Sequence, residues 1–223
     1  MSIRGSGSWQ PWPSAGRLAP WTVLALFAAV PIAAAASPGP VGSEAGGSAP
    51  PGAWLDTQSV QNWNNQHGGL PKADTRGSDA LAGGPCAEQI LEPTGREDKA
   101  VSDAGWSVVS EPQSRAGTVV VTAATGADGM CRPLGVQGFV FLDGRFAGTL
   151  SPHPMDSRTD GILGRVQLFG ATLRADFRRY SATDPLCCPS RTSTVSYRLE
   201  TSADGPLLVP SGVETVRTPP THK

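Results

Sequence analysis

GVQGFVFLDGRFAGTL, residues 135–150, decides the fold class of this chain. Two apolar stretches flank Asp143 and Gly144, and Asp-Gly between such runs favours a two-residue hairpin turn, because both central residues must take positive φ. Two antiparallel strands therefore meet there. Gly138 and Gly148 are predicted to lie near one another across this ladder, either admitting an aromatic such as Phe139, Phe141 or Phe146 or simply packing tightly, which is the expectation. Upstream, Val119, Val120 and Val121 follow a turn at Ala116 and Gly117 and read as a β-branched strand closed by Gly126 and Gly129. Trp106, Val108 and Val109 make a further extended stretch. Downstream, Val166 and Leu168 begin a strand before a turn at Gly170. Leu173, Ala175 and Phe177 then alternate with Arg174, Asp176 and Arg178, and Val195, Tyr197 and Leu199 with Ser196, Arg198 and Glu200, the period of a half-buried strand. One helix of about ten residues is signalled by Thr94 and Glu97 as a capping box, with Ala100, Val101 and Ala104 on its buried side and Gly105 as its stop. The expected class is α+β: an antiparallel sheet of five to seven strands with one N-terminal helix, since nothing alternates strand and helix as a parallel sheet demands.

Residues 1–36 read as an export signal. Arg4 and Arg17 are the only charged residues before Glu44, and the apolar run Leu18–Ala36 closes on four alanines before Ser37, which suits cleavage after Ala36. The rival reading is an uncleaved anchor, as about 19 apolar residues suffice to span a bilayer; Pro20, Pro31 and the predominance of alanine weigh against it. No cysteine ends the run, so thioether lipidation at this signal has no attachment point. Cleavage leaves a net charge of about −3, without a cluster of Lys and Arg, which speaks against nucleic acid as a partner. Residues 37–84 are expected to form a flexible Ser/Gly/Pro/Ala-rich tether followed by a short aromatic segment, in which Trp54, Leu55, Val60 and Trp63 share one side of a short helix. Those aromatics either form a docking clamp or pack on the folded domain, the second being expected. The domain itself is placed at residues 85–210, and 211–223 as a frayed tail.

The chain has four cysteines, Cys86, Cys131, Cys187 and Cys188, in a compartment that oxidises thiols. Neighbouring Cα atoms lie about 3.8 Å apart, below the roughly 4.4–6.8 Å usual for bridged residues. The expectation is that Cys86 and Cys131 each pair with one of Cys187 and Cys188, in either of two arrangements. A redox centre or a zinc site at these cysteines is disfavoured, because the spacing matches neither C-x-x-C nor a common zinc motif. No metal or cofactor is expected.

The stretch with the look of a site is SPHPMDSRTDG, residues 151–161, a loop leaving the hairpin. In a hydrolytic reading Asp156 or Asp160 serves as general base, His153 as acid or base and Arg158 as holder of an oxyanion or carboxylate. The competing reading is that this loop satisfies its own backbone through side-chain caps and an Asp–Arg pair. Arg178, Arg179, Arg191 and Arg198 could share a solvated face, as an anion-binding surface or through cross-strand pairing with Asp176 and Glu200.

PCAEQ from Pro85, DGMCRPLG from Asp128, GFVFLDGRFAGTLSP, PMDSRTDG from Pro154 and DPLCCPSR from Asp184 together resemble the LppP/LprE family of bacterial envelope lipoproteins over about residues 85–209. The resemblance implies export and an envelope location; it implies no reaction or ligand. The reading that follows is an exported, periplasmic, envelope or extracellular domain with a non-catalytic structural or interaction role rather than that of an enzyme. Its partner would be an envelope protein or cell-wall component, with the membrane involved only if the N-terminal segment is retained. The alternative is an extracytoplasmic hydrolase or small-ligand or anion binder using residues 151–161.

Overall fold

The computed structural model describes residues 50–57, 60–65, 68–74, 81, 84–170 and 172–218. The chain divides into residues 1–46 and 47–223, and everything described belongs to the second unit; the expected signal, and the tail beyond Thr218, lie outside the described residues.

Among the described residues, eleven strands and one α-helix, α1 (Arg96–Asp103), follow two short 3-10 turns at Ala53–Leu55 and Ala87–Gln89. A first antiparallel sheet contains β1 (Ser107–Val108), β2 (Gln113–Arg115), β3 (Thr118–Ala124), β6 (Gln137–Leu142) and β7 (Arg145–Thr149). Between them in sequence, β4 (Gly126–Ala127) and β5 (Pro133–Leu134) form a ladder of their own. A second antiparallel sheet runs β11-β10-β9-β8, from β8 (Ile162–Phe169), β9 (Thr172–Arg179), β10 (Arg191–Ser202) and β11 (Gly205–Arg217). The antiparallel α+β class is as expected, but three sheets replace the single one of five to seven strands. The reason lies in β3 and β6. Val120 and Val140 point into a core shared with Leu173, Ala175, Phe177, Val195, Tyr197 and Leu208 of the second sheet. Val121, Ala123, Phe139 and Phe141 point the other way, onto Val101 of α1, Trp106 and Val108. The runs VVV and FVF are apolar at every position because a layer covers each face. β9 and β10 alternate because only one face is covered.

The predicted hairpin is present: Leu142 pairs with Arg145, and Asp143 and Gly144 have φ of 49° and 73°, the twist-matched turn for adjacent strands. The space over Gly138 is filled by Leu150 and Leu163, and that over Gly148 by Asn64, so neither glycine admits an aromatic. Tyr197 donates its buried hydroxyl to the Leu150 carbonyl and ties the two sheets together. α1 starts at Gly95 without a side-chain cap from Thr94. Asp98 ties the entry from the other side, accepting the Thr94 N–H at 2.7 Å.

Three further expectations are corrected. The tail placed at 211–223 is strand as far as Arg217, since β11 pairs along the whole of β10. Pro206 and Pro210, which look like strand breakers, are tolerated because β11 is an edge and their missing N–H groups take no bond from the ladder. Next, the short helix expected to carry Trp54, Leu55, Val60 and Trp63 is reduced to the turn at Ala53–Leu55, while the packing of Trp54 and Trp63 on the domain is as expected. Trp54 meets Trp63 and Phe177 edge-on with ring centroids 5.1 and 4.9 Å apart, and Leu55 is part of the core between the sheets.

The third correction concerns the cysteines. Cys86 pairs with Cys131, and Cys187 with Cys188 across a Cα–Cα distance of 3.7 Å. Cys131, at φ 59°, ends a turn organised by Asp128, whose carboxylate accepts the Met130 and Arg132 N–H groups. That turn carries it to Cys86, which packs beside Leu81 and Ala124. The exclusion of the adjacent pair rested on Cα spacing, whereas the bond needs Cβ atoms about 3.5–4.5 Å apart, which neighbours reach by turning both side chains to one side. The Cys86–Cys131 bridge, closing a sequence separation of 45, constrains the unfolded chain by about 4 kcal/mol, against about 1 kcal/mol for the two-residue ring.

Candidate functional site

Each hydrolytic candidate in residues 151–161 has a separate position. The Val136–Met155 bridge pins the loop, with Met155 N–H donating to the Val136 carbonyl at 3.0 Å and Val136 N–H returning the bond at 2.7 Å. Asp156 accepts the Gly135 N–H at 2.7 Å, at a position where Gly135 has φ 60°. Asp160 faces the interior, accepting from Arg179 Nε at 2.9 Å, Arg179 Nη2 at 3.0 Å and the Tyr180 N–H at 2.7 Å. His153 and Arg158 are exposed. No hydrogen bond joins these four side chains to one another among the described residues, so the loop is built mainly by backbone satisfaction.

Arg179 overturns the shared basic face. It is 2% exposed, on the same side of β9 as Leu173, Ala175 and Phe177. Besides Asp160, its guanidinium meets Asp56 at 2.9 Å and Ser193 Oγ at 3.2 Å. Burial acts to lower its pKa, and the hydrogen bonds and charges of Asp160 and Asp56 outweigh it, so the net shift is upward. Of the expected cross-strand partners, Asp176 sits 3.7 Å from Arg165 and Glu200 3.4 Å from Arg198. Arg178 and Arg198 face solvent.

A concavity lies elsewhere, between Trp63, Asn64 and residues 68–74 on one side and the ends of β6, β7 and the β10–β11 turn on the other. Its volume is about 800 Å³, within the usual range for small-molecule sites. Asn64 builds its floor: Nδ2 donates to the carbonyls of Thr149 and Leu208 at 3.1 and 3.2 Å, and Oδ1 accepts the Thr149 N–H at 2.9 Å. That fit requires the glycine at 148, where φ is 148° and a side chain would collide with Asn64. Trp63 Nε1 donates to the Thr149 carbonyl at 3.1 Å and Trp106 Nε1 to the Pro71 carbonyl at 2.8 Å, while buried Gln137 and Ser151 bond each other. Phe146, Pro71 and Pro206 supply apolar walls, and Lys72, Asp74, Arg145 and Asp204 place both signs of charge at the rim. The sequence reading missed this cleft because its near wall comes from the short aromatic segment, whose partners lie far along the chain; Trp63, expected to pack on the domain, was a signal of it.

Among the described residues, three carboxylates are held acidic, chiefly by backbone donors. At Asp184 the Ser181 N–H and hydroxyl and the Ser190 N–H and hydroxyl hold the pKa far below the usual value of 3.8. At Asp128 the Arg132 N–H leads, and at Asp98 burial raises the pKa but the N–H groups of Gly95, Thr94 and Lys99 outweigh it. Groups with depressed native pKa stabilise the fold fully above the unfolded value of 3.8 and lose that contribution as pH falls through the native one. Ser181→Ala with Ser190→Ala should therefore move the protonation of Asp184 upward, toward pH 3.8. Carboxyl carbon chemical shifts in an acid titration read this directly, and an unmoved midpoint contradicts it.

Among the described residues no three His, Cys, Asp or Glu side chains cluster as metal ligands would, and no helix is long and apolar enough to cross a membrane. Residues 112–202 match the family model described as LppP/LprE lipoprotein. The match runs from just before β2 to the end of β10, taking in Cys131, Cys187 and Cys188 but neither Cys86 nor α1. No curated protein and no solved structure matches the chain.

Proposed function

We propose that this chain, with its LppP/LprE-type domain, is an exported component of the bacterial cell envelope that acts by binding, and that it takes a cell-wall component into the cleft beside Asn64. The observation that carries this reading is the cleft itself, about 800 Å³ with apolar walls at Phe146, Pro71 and Pro206 and a rim of mixed charge. A peptide-bearing wall fragment offers matching chemistry: ammonium and carboxylate groups on a partly apolar frame. The lipoprotein description of the matched family supports the envelope location, as does the alanine-rich run before Ser37. A hydrolytic role for residues 151–161 draws less support, because Asp156 and Asp160 spend their oxygens on Gly135, Arg179 and Tyr180.

Titrating the protein from residue 37 onward with soluble disaccharide-peptide fragments, followed by tryptophan fluorescence and calorimetry, tests the reading. Saturable binding is expected. Lys72 and Arg145 are exposed, so Lys72→Glu with Arg145→Glu should weaken binding about tenfold, near 1.4 kcal/mol, at an unchanged Tm. Absence of saturation, or binding indifferent to the double variant, rejects the cleft as the site.

A further inference from the structure

We propose that the Cys187–Cys188 disulfide is a surface thiol-exchange site, reduced by a protein dithiol while Cys86–Cys131 stays oxidised. Its situation differs from that of the other bridge in three respects. Cys187 and Cys188 are both exposed, whereas Cys86 is 7% exposed within an apolar cluster and Cys131 half-buried. Exchange proceeds by in-line attack of a thiolate on a disulfide sulfur, so access decides which bridge reacts. The ring closes only two residues, so its opening frees little chain, in contrast to the 45-residue separation of the other pair.

The third respect is that the loop keeps its frame without the bridge. Asp184 accepts the Ser181 N–H at 2.8 Å and hydroxyl at 2.7 Å, and the Ser190 N–H at 3.0 Å and hydroxyl at 2.8 Å, closing the base of the loop between β9 and β10. Inside it, Cys188 N–H donates to the Pro185 carbonyl at 2.9 Å, and the Tyr180 hydroxyl to the Leu186 carbonyl at 3.3 Å. Reduction therefore changes the surface at residues 187 and 188 and leaves both strands in place. Leu186, 61% exposed beside the pair, gives a dithiol protein an apolar contact.

In the exchange, one thiolate of the partner attacks Sγ of Cys187 or Cys188. The disulfide breaks, the leaving sulfur takes a proton, and a mixed disulfide joins the two proteins. The partner's second thiol, losing its proton, attacks its own sulfur in that mixed disulfide and releases the remaining cysteine as a thiol. Two electrons and two protons pass to the pair, and the partner leaves oxidised.

The test uses the oxidised protein, stepwise reduction by dithiothreitol or by a C-x-x-C protein of the thioredoxin type, alkylation and peptide mass mapping. Cys187 and Cys188 should be alkylated together at reductant levels about tenfold below those that label Cys86 and Cys131, at unchanged Tm. A C-x-x-C protein whose resolving cysteine is serine should be captured on Cys187 or Cys188, and the Cys187→Ser, Cys188→Ser variant should fold alike and capture nothing. Simultaneous labelling of all four cysteines, no labelling short of unfolding, or a map joining Cys86 or Cys131 to residues 187 or 188 overturns the proposal.

Discussion

Arg179→Met should destabilise the protein by about 3–4 kcal/mol, the usual cost of removing one partner from a buried ion pair. Methionine retains most of the volume, so the loss is one of charge. Asp160, 20% exposed, would keep its Tyr180 N–H but lose both guanidinium bonds, and Ser193 Oγ would lose the guanidinium while keeping its bond with the Thr215 hydroxyl. A chain of this size should show a fall in Tm of about 10 °C. The two acids are unequal partners. Asp56 is 61% exposed, so Asp56→Asn should cost below about 1 kcal/mol, whereas Asp160→Asn should cost about 1–3 kcal/mol. Urea unfolding of the three variants separates them. An Arg179→Met loss below about 1 kcal/mol, or equal losses for the two acids, would show that the cluster does not hold the N-terminal arm (residues 50–57, 60–65 and 68–74) and the 151–161 loop on the second sheet.

Removing the arm should have the larger effect. A chain beginning at residue 85 lacks Trp54 and Leu55 from the core between the sheets, Asp56 from Arg179, and the Asn64 bonds to Thr149 and Leu208. Losing one large buried side chain commonly costs about 3–5 kcal/mol. The sum reaches the order of the 5–15 kcal/mol that a whole domain has to spare. The expected outcome is a chain without a cooperative transition or near-UV dichroism, beside a normal one for the chain from residue 37. Equal transitions for both would show that the arm adds nothing to the stability of the domain. Trp54→Ala alone should lower stability by about 2–4 kcal/mol, since the ring is only partly covered.

What the sequence made legible was local. Asp143-Gly144 sets its own turn wherever it stands, and the alternation of β9 follows from backbone pleating. That same alternation already put Arg179 with Leu173, Ala175 and Phe177; charge argued for solvent, and periodicity was the better guide because Asp160 was within reach. VVV and FVF carried the second layer in their lack of alternation. The arm, the cysteine pairing and the cleft were illegible for one shared reason. Each depends on segments far apart in the chain, such as Asn64 with Thr149 and Leu208, and a polar residue in a Gly- and Pro-rich stretch gives no periodic signal of its partner. The candidate loop was found by composition, which does not distinguish carboxylates that work on substrates from carboxylates that hold backbone.

The outer rim of β11 has a consequence for solubility. Leu208 turns its carbonyl away from β10 to meet Asn64, and Pro206 and Pro210 share its side of the strand. Of three consecutive outward positions, two lack an N–H to donate and the third has its carbonyl occupied. A bare edge of this length would be a template for strand addition by a neighbouring molecule. Here imino acids and a borrowed asparagine close it along Pro206–Pro210, so strand addition by a neighbouring molecule is blocked at that stretch of the edge.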